Sequence, residues 1–363
     1  MMAALRAWRD EVGDLTVLGR VRLALGLLLF VGALRAVREL QSGYFGDVFH
    51  VPLLPEALVP GHVVYTAIVA AQLLLAVLVV AGHRARTALA LSALLSLYVL
   101  SCDRLQFHNN RYALLLYALL LSLAPCDRSV HIGLPLPRTG PLWAARLAGL
   151  QLSIIYVASG GAKLLDPDWR SGAVLLERFH LYGAQALAAG VPPWVMDRLA
   201  RPDAASALAK LAIATELLLA VALWSRPMRA MALWWGVWFH LVIQATASVE
   251  SFSWLTLAMY GVFVTPDVRA RRFFYDRSRF RGRFFARAVL LLDWLSRFEV
   301  KAWEPDDVKR GHSVVVVRRD GTHATGLGAA AMVARCIPPF FPLWAPLAFL
   351  ASFTERGDAP STA

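Results

Sequence analysis

The sequence predicts an all-α polytopic membrane bundle of about eight transmembrane helices, followed by a small C-terminal α/β domain. Three observations predict it. Hydrophobic residues fill 58% of the 363 positions, charged residues only 17%, and the mean hydropathy is +0.53, which is too apolar for an ordinary soluble protein. Apolar runs near the ~20 residues needed to cross a hydrocarbon core recur up to Pro266. After Pro266 the texture changes to short β-branched or aromatic runs alternating with helical stretches, the pattern of a small α/β fold. The expected domains are therefore 1–266 and 267–363.

The expected spans are 16–36, 62–82, 86–103, 109–125, 141–165, 205–224, 229–248 and 251–266. Proline-bearing connections separate them, at Pro52, Pro55 and Pro60, at Pro125, at Pro135 to Pro141, at Pro192 and Pro193, and at Pro266. The third and fourth spans are short and joined by the polar Asp103 to Asn110 stretch. The 166–203 connection is long, and its amphipathic part, Ala173 to Leu187, reads as a lid or interfacial segment. Beyond the bundle, 272–276 reads as a strand, 280–296 as a helix and 298–303 as a second strand. Ser313 to Arg318 reads as a strand followed by the turn Asp320-Gly321, and 326–336 as a helix. The last apolar run, Ile337 to Phe353, contains Pro338, Pro339, Pro342 and Pro346; it reads as a docked segment rather than a ninth span.

The formal net charge is +12, and the basic residues cluster in short connections. With eight spans, Arg6, Arg9, Arg20 and Arg22, Arg84 and Arg86, Arg128 and Arg138, Arg226 and Arg229, and Arg269, Arg271 and Arg272 all fall on one side. The positive-inside rule makes that side cytoplasmic and accounts for the charge without a nucleic-acid partner. Arg35 and Arg38 depart from the rule at the outer end of the first span. The C-terminal domain is then cytoplasmic, while residues 108–111, Lys163, the 166–203 connection and Glu250 face outward. Three cysteines are too few for a disulfide framework, and Cys102 and Cys126 flank one span on opposite sides. The first apolar run lacks a small-residue cleavage site and reads as a retained span.

Polar groups set against these spans are the candidate site, because ionisable groups in a bilayer are costly. A lysine held in an apolar site has its charged form disfavoured, so Lys163 can act as a base; alternatively it snorkels to the outer interface. The flanking Ser159-Gly160-Gly161-Ala162 lets a helix or ligand approach closely. His108, Asn109, Asn110 and Arg111 can bind an anion or polarise a carbonyl, or can form an interfacial helix cap. Glu216 must pair, protonate or face a cavity. His240 is either a packing residue or a further polar contact. Metal-ligand spacing, a phosphate-binding glycine loop, a Gly-x-Ser-x-Gly elbow and a Cys-x-x-Cys pair are all absent from the sequence. No metal is expected.

His108-Asn109-Asn110-Arg111-Tyr112, then Tyr156 to Trp169 with Gly172, then Phe239-His240 ahead of Ser251-Phe252-Ser253, resemble the HTTM family, that of the vitamin K-dependent gamma-carboxylases and their bacterial relatives. The resemblance covers roughly residues 15–266. It implies a lysine that deprotonates a reduced quinone, which then reacts with oxygen to give a base for glutamate carboxylation. Lys163 matches that lysine if one residue is inserted before Asp166-Pro167-Asp168-Trp169; otherwise Leu164 takes the position. Arg111 stands where the family pattern has a histidine, and an arginine cannot trade protons. A nearby Arg111 would push a lysine toward its neutral form. No large substrate-binding domain follows the membrane part, which speaks against carboxylation of a protein. Residues 271–354 resemble DCC-type thioredoxin-like domains, yet Arg279 and Gly282 occupy the cysteine positions, so thiol exchange chemistry is missing. The Arg277 to Arg287 cluster can bind anionic headgroups or simply serve solubility and topology.

The resemblance thus implies an integral membrane protein using Lys163 on a quinol or other lipid-soluble substrate. Its activity would be carboxylase-like, a quinol-oxygenating lyase type. Asn109, Asn110 and Arg111 would bind substrate, with His108, Glu216 and His240 as further contacts. The implied cofactor is a reduced quinone such as a menaquinol; the implied partners are the bilayer, a quinone and an exported peptide or protein. The alternative is a non-catalytic scaffold or a maturation partner for an exported product. A transporter is a third option, but no pair of Gly/Pro-broken spans sits in matching halves.

Overall fold

The computed structural model describes residues 10–46, 48–127, 139–247, 249–264, 271–303, 313–318 and 321–354. Arg6, Arg9, Arg128, Arg138, Pro135, Pro266, Arg269 and Asp320, used in the topology and turn readings, lie outside the described residues, as does the expected domain boundary. The chain forms two compact units, Met1–Ala232 with Phe239–Pro266, and Leu233–Trp238 with Asp267–Ala363.

The first unit opens with strand β1 (Val12–Asp14) and helix α1 (Thr16–Gln41). Helices α2 (His62–Ala81), α3 (Ala85–Cys102) and α4 (Asn109–Ser122) follow, then β2 (Thr139–Pro141) and α5 (Trp143–Leu165). The long connection forms α6 (Pro167–Ser171), α7 (Ala173–Ala188) and α8 (Pro193–Leu199) before α9 (Pro202–Ala222). Helices α10 (Arg229–Ala247) and α11 (Phe252–Met259) come next, α11 continuing as a 3₁₀ turn over Tyr260–Phe263.

Among the described residues, five helices are long and apolar enough to cross a membrane: α1, α2, α3, α5 and α9. The eight expected spans are not all matched. The expected 109–125 span is a helix of 14 residues, about 21 Å long against a ~30 Å hydrocarbon core. The expected 251–266 span is an eight-residue helix plus a short 3₁₀ turn.

The outside of this unit is apolar where a soluble fold would be polar. Leu27, Val31 and Leu34 on α1, Val63, Leu74 and Val77 on α2, Leu91, Leu94 and Leu97 on α3, and Leu218 and Val221 on α9 face outward. Arg22, Ser92, Asn110, Ser153, Thr215, Glu216, His240, Ser253 and Thr256 are buried. An apolar exterior with the polar groups turned inward is what hydrocarbon selects, since lipid cannot hydrogen-bond an exposed donor.

At one end of the bundle, arginines close helix C-termini. The last carbonyls of a helix have no intrahelical partner. Arg22 donates to the carbonyls of Val79 and Val80 at the end of α2. Arg86 donates to Ser122 O at the end of α4, 2.9 Å away. Arg229 donates to Leu223 O at 2.8 Å and Trp224 O at 3.1 Å, just past α9. At the same end β1 pairs antiparallel with β2, Val12 opposite Pro141 and Asp14 opposite Thr139. Arg146 forms an ion pair with Glu11 beside that ladder.

The amphipathic stretch expected at 173–187 is α7. It buries Phe179 and Ala186 against Met196 of α8 and Ala205 of α9, a small core of its own. Gly172 makes this turn possible. Its φ is +88°, and a Cβ there would lie 2.4 Å from Ser206 N. A side chain would meet both backbone strain and a collision with α9.

Between α1 and α2, Tyr44, Phe45 and Tyr65 pack with Cys102. Asp103 is buried below this cluster. Its carboxylate accepts from Tyr44 OH at 2.6 Å, Val51 N at 3.0 Å and Leu105 N at 3.0 Å. Burial alone pushes the carboxyl up; the donated hydrogen bonds outweigh it and hold the group below its usual value.

In the second unit, β3 (Arg271–Tyr275) runs into α12 (Phe280–Leu292) and returns as β4 (Phe298–Ala302), parallel to β3. β5 (Val314–Val317) pairs antiparallel with β3, and β6 (His323–Thr325) antiparallel with β5, giving the order β4-β3-β5-β6. Helices α13 (Gly326–Cys336) and α14 (Trp344–Thr354) follow, linked by a 3₁₀ segment over Pro338–Leu343. Phe273, Val316 and Ala324 of the sheet form the core with Ala286 and Val289 of α12, Ala329 of α13 and Ile337. The expected strands and helices of this region are present; β6 is an addition.

Two outcomes follow. Gly172→Ala lowers stability by at least about 2 kcal/mol, read as a fall in the midpoint for loss of monodisperse protein on heating in detergent. Because the folded-state value of Asp103 is depressed, its stabilising contribution is complete above about pH 4 and is lost as pH falls through and below that value. Asp103→Asn therefore shows a flatter fall in thermal midpoint than wild type between about pH 5 and about pH 3.

Candidate functional site

Lys163 lies in the last turn of α5, and Glu216 lies on α9. Close approach of these helices sets the site. A Cβ on Gly160 would sit 3.1 Å from the Leu217 side chain and 3.3 Å from Glu216 Cβ, so the small residue lets α9 come near. Lys163 Nζ donates to both Glu216 oxygens, at 2.5 and 2.7 Å, and to Ser159 Oγ at 2.7 Å. It also lies 5.0 Å from the centre of the Trp169 ring, over its face. The side chains are 17% and 8% exposed. Lys163 is thus not in the wholly apolar setting expected of it, because a carboxylate and a hydroxyl contact its ammonium group.

A second network adjoins on the same helix. Tyr156 lies one and two turns before Ser159–Gly160 and Lys163 on that face. Its hydroxyl is 2.7 Å from His240 Nε2 and 2.6 Å from Tyr260 OH. An imidazole accepting at Nε2 from Tyr156 leaves the Tyr156 oxygen free to accept from Tyr260. His240 Nδ1, Tyr117 OH and Ser253 Oγ are buried with no hydrogen-bond partner among the described residues. Buried polar groups normally find partners, so this interior suits water or a small polar molecule.

The 108–111 group is placed elsewhere. His108 caps α4, its Nδ1 accepting from Asn110 N at 3.2 Å. The Asn110 amide donates to Val249 O at 3.1 Å. Asn109 is exposed. Arg111 donates to Glu39 Oε1 at 2.6 Å, and Tyr65 OH donates to Glu39 Oε2 at 3.3 Å. Arg111 and Glu39 line a cavity of about 130 Å³ with Leu28, Leu114, Gln72 and Ser92. Ser92 Oγ is buried and without a partner among the described residues.

The sequence candidates therefore separate into two groups. Lys163 and Glu216 meet each other, with His240 in the adjoining network. His108, Asn110 and Arg111 hold a different corner, where the cavity lies. Glu39, Tyr65, Ser159, Tyr156 and Tyr260 take part without having been singled out. Glu39 was legible as an acid at the end of the first span, and Tyr156 as a polar group on the lysine's own helical face. Among the described residues no cluster of three or more metal-ligating side chains exists.

The described geometry shows spans that carry their polar groups inward. Residues 11–268, more than two thirds of the chain, match the model of the HTTM domain. The chain belongs to the HTTM domain family. The HTTM domain is a membrane domain of the gamma-carboxylase type, and with its apolar helices it makes this a multi-pass membrane protein. No curated protein and no solved structure matches the chain. The HTTM match ends before β3, so the sheet of β3 to β6 and its helices lie outside it.

The Lys163–Glu216 contact in this HTTM domain gives a stability test. Removing one member of a buried pair leaves an uncompensated charge, costing on the order of 3 kcal/mol, while replacing both with apolar residues is far milder. Lys163→Met and Glu216→Leu alone each lower the thermal midpoint in detergent, and the double variant recovers most of the loss.

Proposed function

We propose that this HTTM protein is an enzyme of carboxylase-like, quinol-oxygenating type in which Lys163 and Glu216 act together as a proton-exchange unit on a lipid-soluble substrate. The observation that carries the reading is the bidentate contact itself. Shift of one proton from Lys163 Nζ to Glu216 turns an ion pair into a neutral amine beside a carboxylic acid. Both oxygens lie within 2.7 Å of Nζ, so the shift needs little movement. The neutral amine can then take a proton from substrate, and Glu216 keeps the first one. This replaces the family histidine, which Arg111 cannot imitate. Ser159 and Trp169 hold the ammonium through a hydrogen bond and the ring face.

A reduced quinone such as a menaquinol is the proposed substrate; to meet Lys163 it would have to reach beyond the Arg111 cavity, which neither Lys163 nor Glu216 lines. The cavity walls are apolar at Leu28, Leu29, Leu114 and Leu115, and its polar groups include Ser92, Glu39 and Arg111. Such a molecule, when bound, supplies an acidic hydroxyl and reducing electrons. Arg111, fixed by Glu39, orients a polar oxygen; the leucines exclude water from the ring. An exported peptide or protein as second substrate remains part of this proposal. So do eight membrane crossings, an outward-facing site and a cytoplasmic second unit. Support for the orientation comes from Arg22, Arg86 and Arg229, which sit at helix ends where the positive-inside rule puts cytoplasmic charge. The order β4-β3-β5-β6, with one parallel pair around α12, supports a thioredoxin-like second unit without its cysteine pair.

A second reading has its own observation. Both candidate cations are matched by carboxylates, Lys163 by Glu216 and Arg111 by Glu39, as in a structural network. That favours a non-catalytic scaffold or a maturation partner for an exported product.

Oxygen uptake by purified protein in lipid nanodiscs, given a reduced naphthoquinone, separates the two. The enzyme reading expects uptake above the protein-free rate that falls by about 10²–10⁴ in Lys163→Ala, the usual worth of a general base. Loss in the folded double variant Lys163→Met/Glu216→Leu attributes it to chemistry rather than stability. Wild-type uptake retained in Lys163→Ala overturns the role of the lysine. Absence of uptake in wild type shifts the protein to the scaffold reading.

A further inference from the structure

Helix α12 belongs to the second unit, outside the HTTM match, and nothing in the proposed chemistry uses it. It buries only Gly282, Ala286 and Val289, the i, i+4, i+7 row that packs on the sheet. Opposite that row, Phe280, Phe284, Arg287 and Leu291 repeat at the same spacing. Phe280, Phe284 and Leu291 are 73%, 58% and 76% exposed. The Phe280 and Phe284 rings lie nearly parallel with centres 6.3 Å apart. Phe285 and Leu290 extend the apolar surface to either side. Arg281, Arg283 and Arg287 are exposed among them. Arg279 is engaged by Asp276 at 3.3 Å, and Arg283 is anchored by donating to Arg277 O at 2.7 Å. Helix α12 itself carries three arginines and no acidic residue.

A soluble unit rarely leaves three large apolar side chains in one row facing water. An aromatic and leucine row flanked by arginines is the composition of a helix that lies in a bilayer interface, apolar groups among the acyl chains and guanidinium groups at the phosphates. This chain is itself anchored in a bilayer, so that surface is always within reach. We infer that α12 is an interfacial docking helix, placing Phe280, Phe284 and Leu291 in the membrane and Arg281, Arg283 and Arg287 on anionic lipid headgroups. Charge complementarity selects the anionic bilayer over an apolar protein partner, because three cations around the row would be costly to bury against an uncharged face. Juxtaposed basic residues contribute roughly a fivefold gain in binding each.

The test uses the full chain. Its three cysteines are buried, so Phe284→Cys supplies one exposed thiol for an environment-sensitive fluorophore. The labelled protein is placed in nanodiscs of phosphatidylcholine, with or without phosphatidylglycerol, carrying brominated acyl chains as quencher. The expected result is quenching in the phosphatidylglycerol discs. The docked-to-undocked ratio falls by at least about fivefold for each of Arg281, Arg283 and Arg287 changed to Glu, and falls with salt. A label at the exposed His323, introduced as His323→Cys, stays unquenched. Three outcomes overturn the inference: a water-exposed label at 284 in phosphatidylglycerol discs; a label with blue-shifted but unquenched emission, meaning that protein covers the helix; or equal quenching in neutral discs and after charge reversal, meaning that the arginines do not select the lipid.

Discussion

Hydrocarbon offers no hydrogen bonds, and the first unit is arranged around that single fact. Each polar side chain drawn into the bundle must be answered from within it. Arg22 is met by the last carbonyls of α2, Lys163 by Glu216, Arg111 by Glu39 and Tyr156 by His240 and Tyr260. These contacts join helices far apart in sequence: α1 to α2, α1 to α4, α5 to α9, and α5 to α10. Leucine against lipid gives little reason for helices to associate in a particular register, since the tails are equally apolar. The register of this bundle is therefore written by its few polar groups, and the leucines fill the space that those contacts define.

The same economy explains why the candidate site is divided. Two cations, the mostly buried Lys163 and the partly exposed Arg111, have each taken a carboxylate of their own. The unpartnered atoms of His240, Tyr117, Ser253 and Ser92 mark where the interior stays chemically open.

Much of this was legible in the chain. Apolar runs located the five long helices, and the short β-branched and aromatic runs located strands of the C-terminal sheet, because periodicity and length are local properties. Lys163, Glu216 and His240 announced themselves as polar residues in apolar surroundings. Pairing did not announce itself. That Glu216 belongs to Lys163, 53 positions away, is a product of the Gly160 contact, and no local pattern encodes it. Glu39 looked like one more charge in the Arg35 to Glu39 stretch, yet it holds Arg111 from 72 positions away. The short α4 was read as a span because Leu-rich sequence continues to Pro125, whereas its helix stops at Ser122. The pairing of β1 with β2 was invisible because each strand has only three residues.

That small ladder bears on the order of assembly. Val12 pairs with Pro141, so the strand nearest the N-terminus has no partner until four helices have been synthesised and placed. Contacts of such long sequence separation form late, because loop closure must precede the reward. The segment before α1 then stays unpaired through the insertion of α1 to α4, and the Arg146–Glu11 contact forms only once α5 begins. Closing the ladder joins the two ends of that four-helix set and fixes where α5, and with it Lys163, enters the bundle. A lesion in residues 11–14 would thus show itself first as a failure of α5 to settle, in a part of the protein more than a hundred residues away.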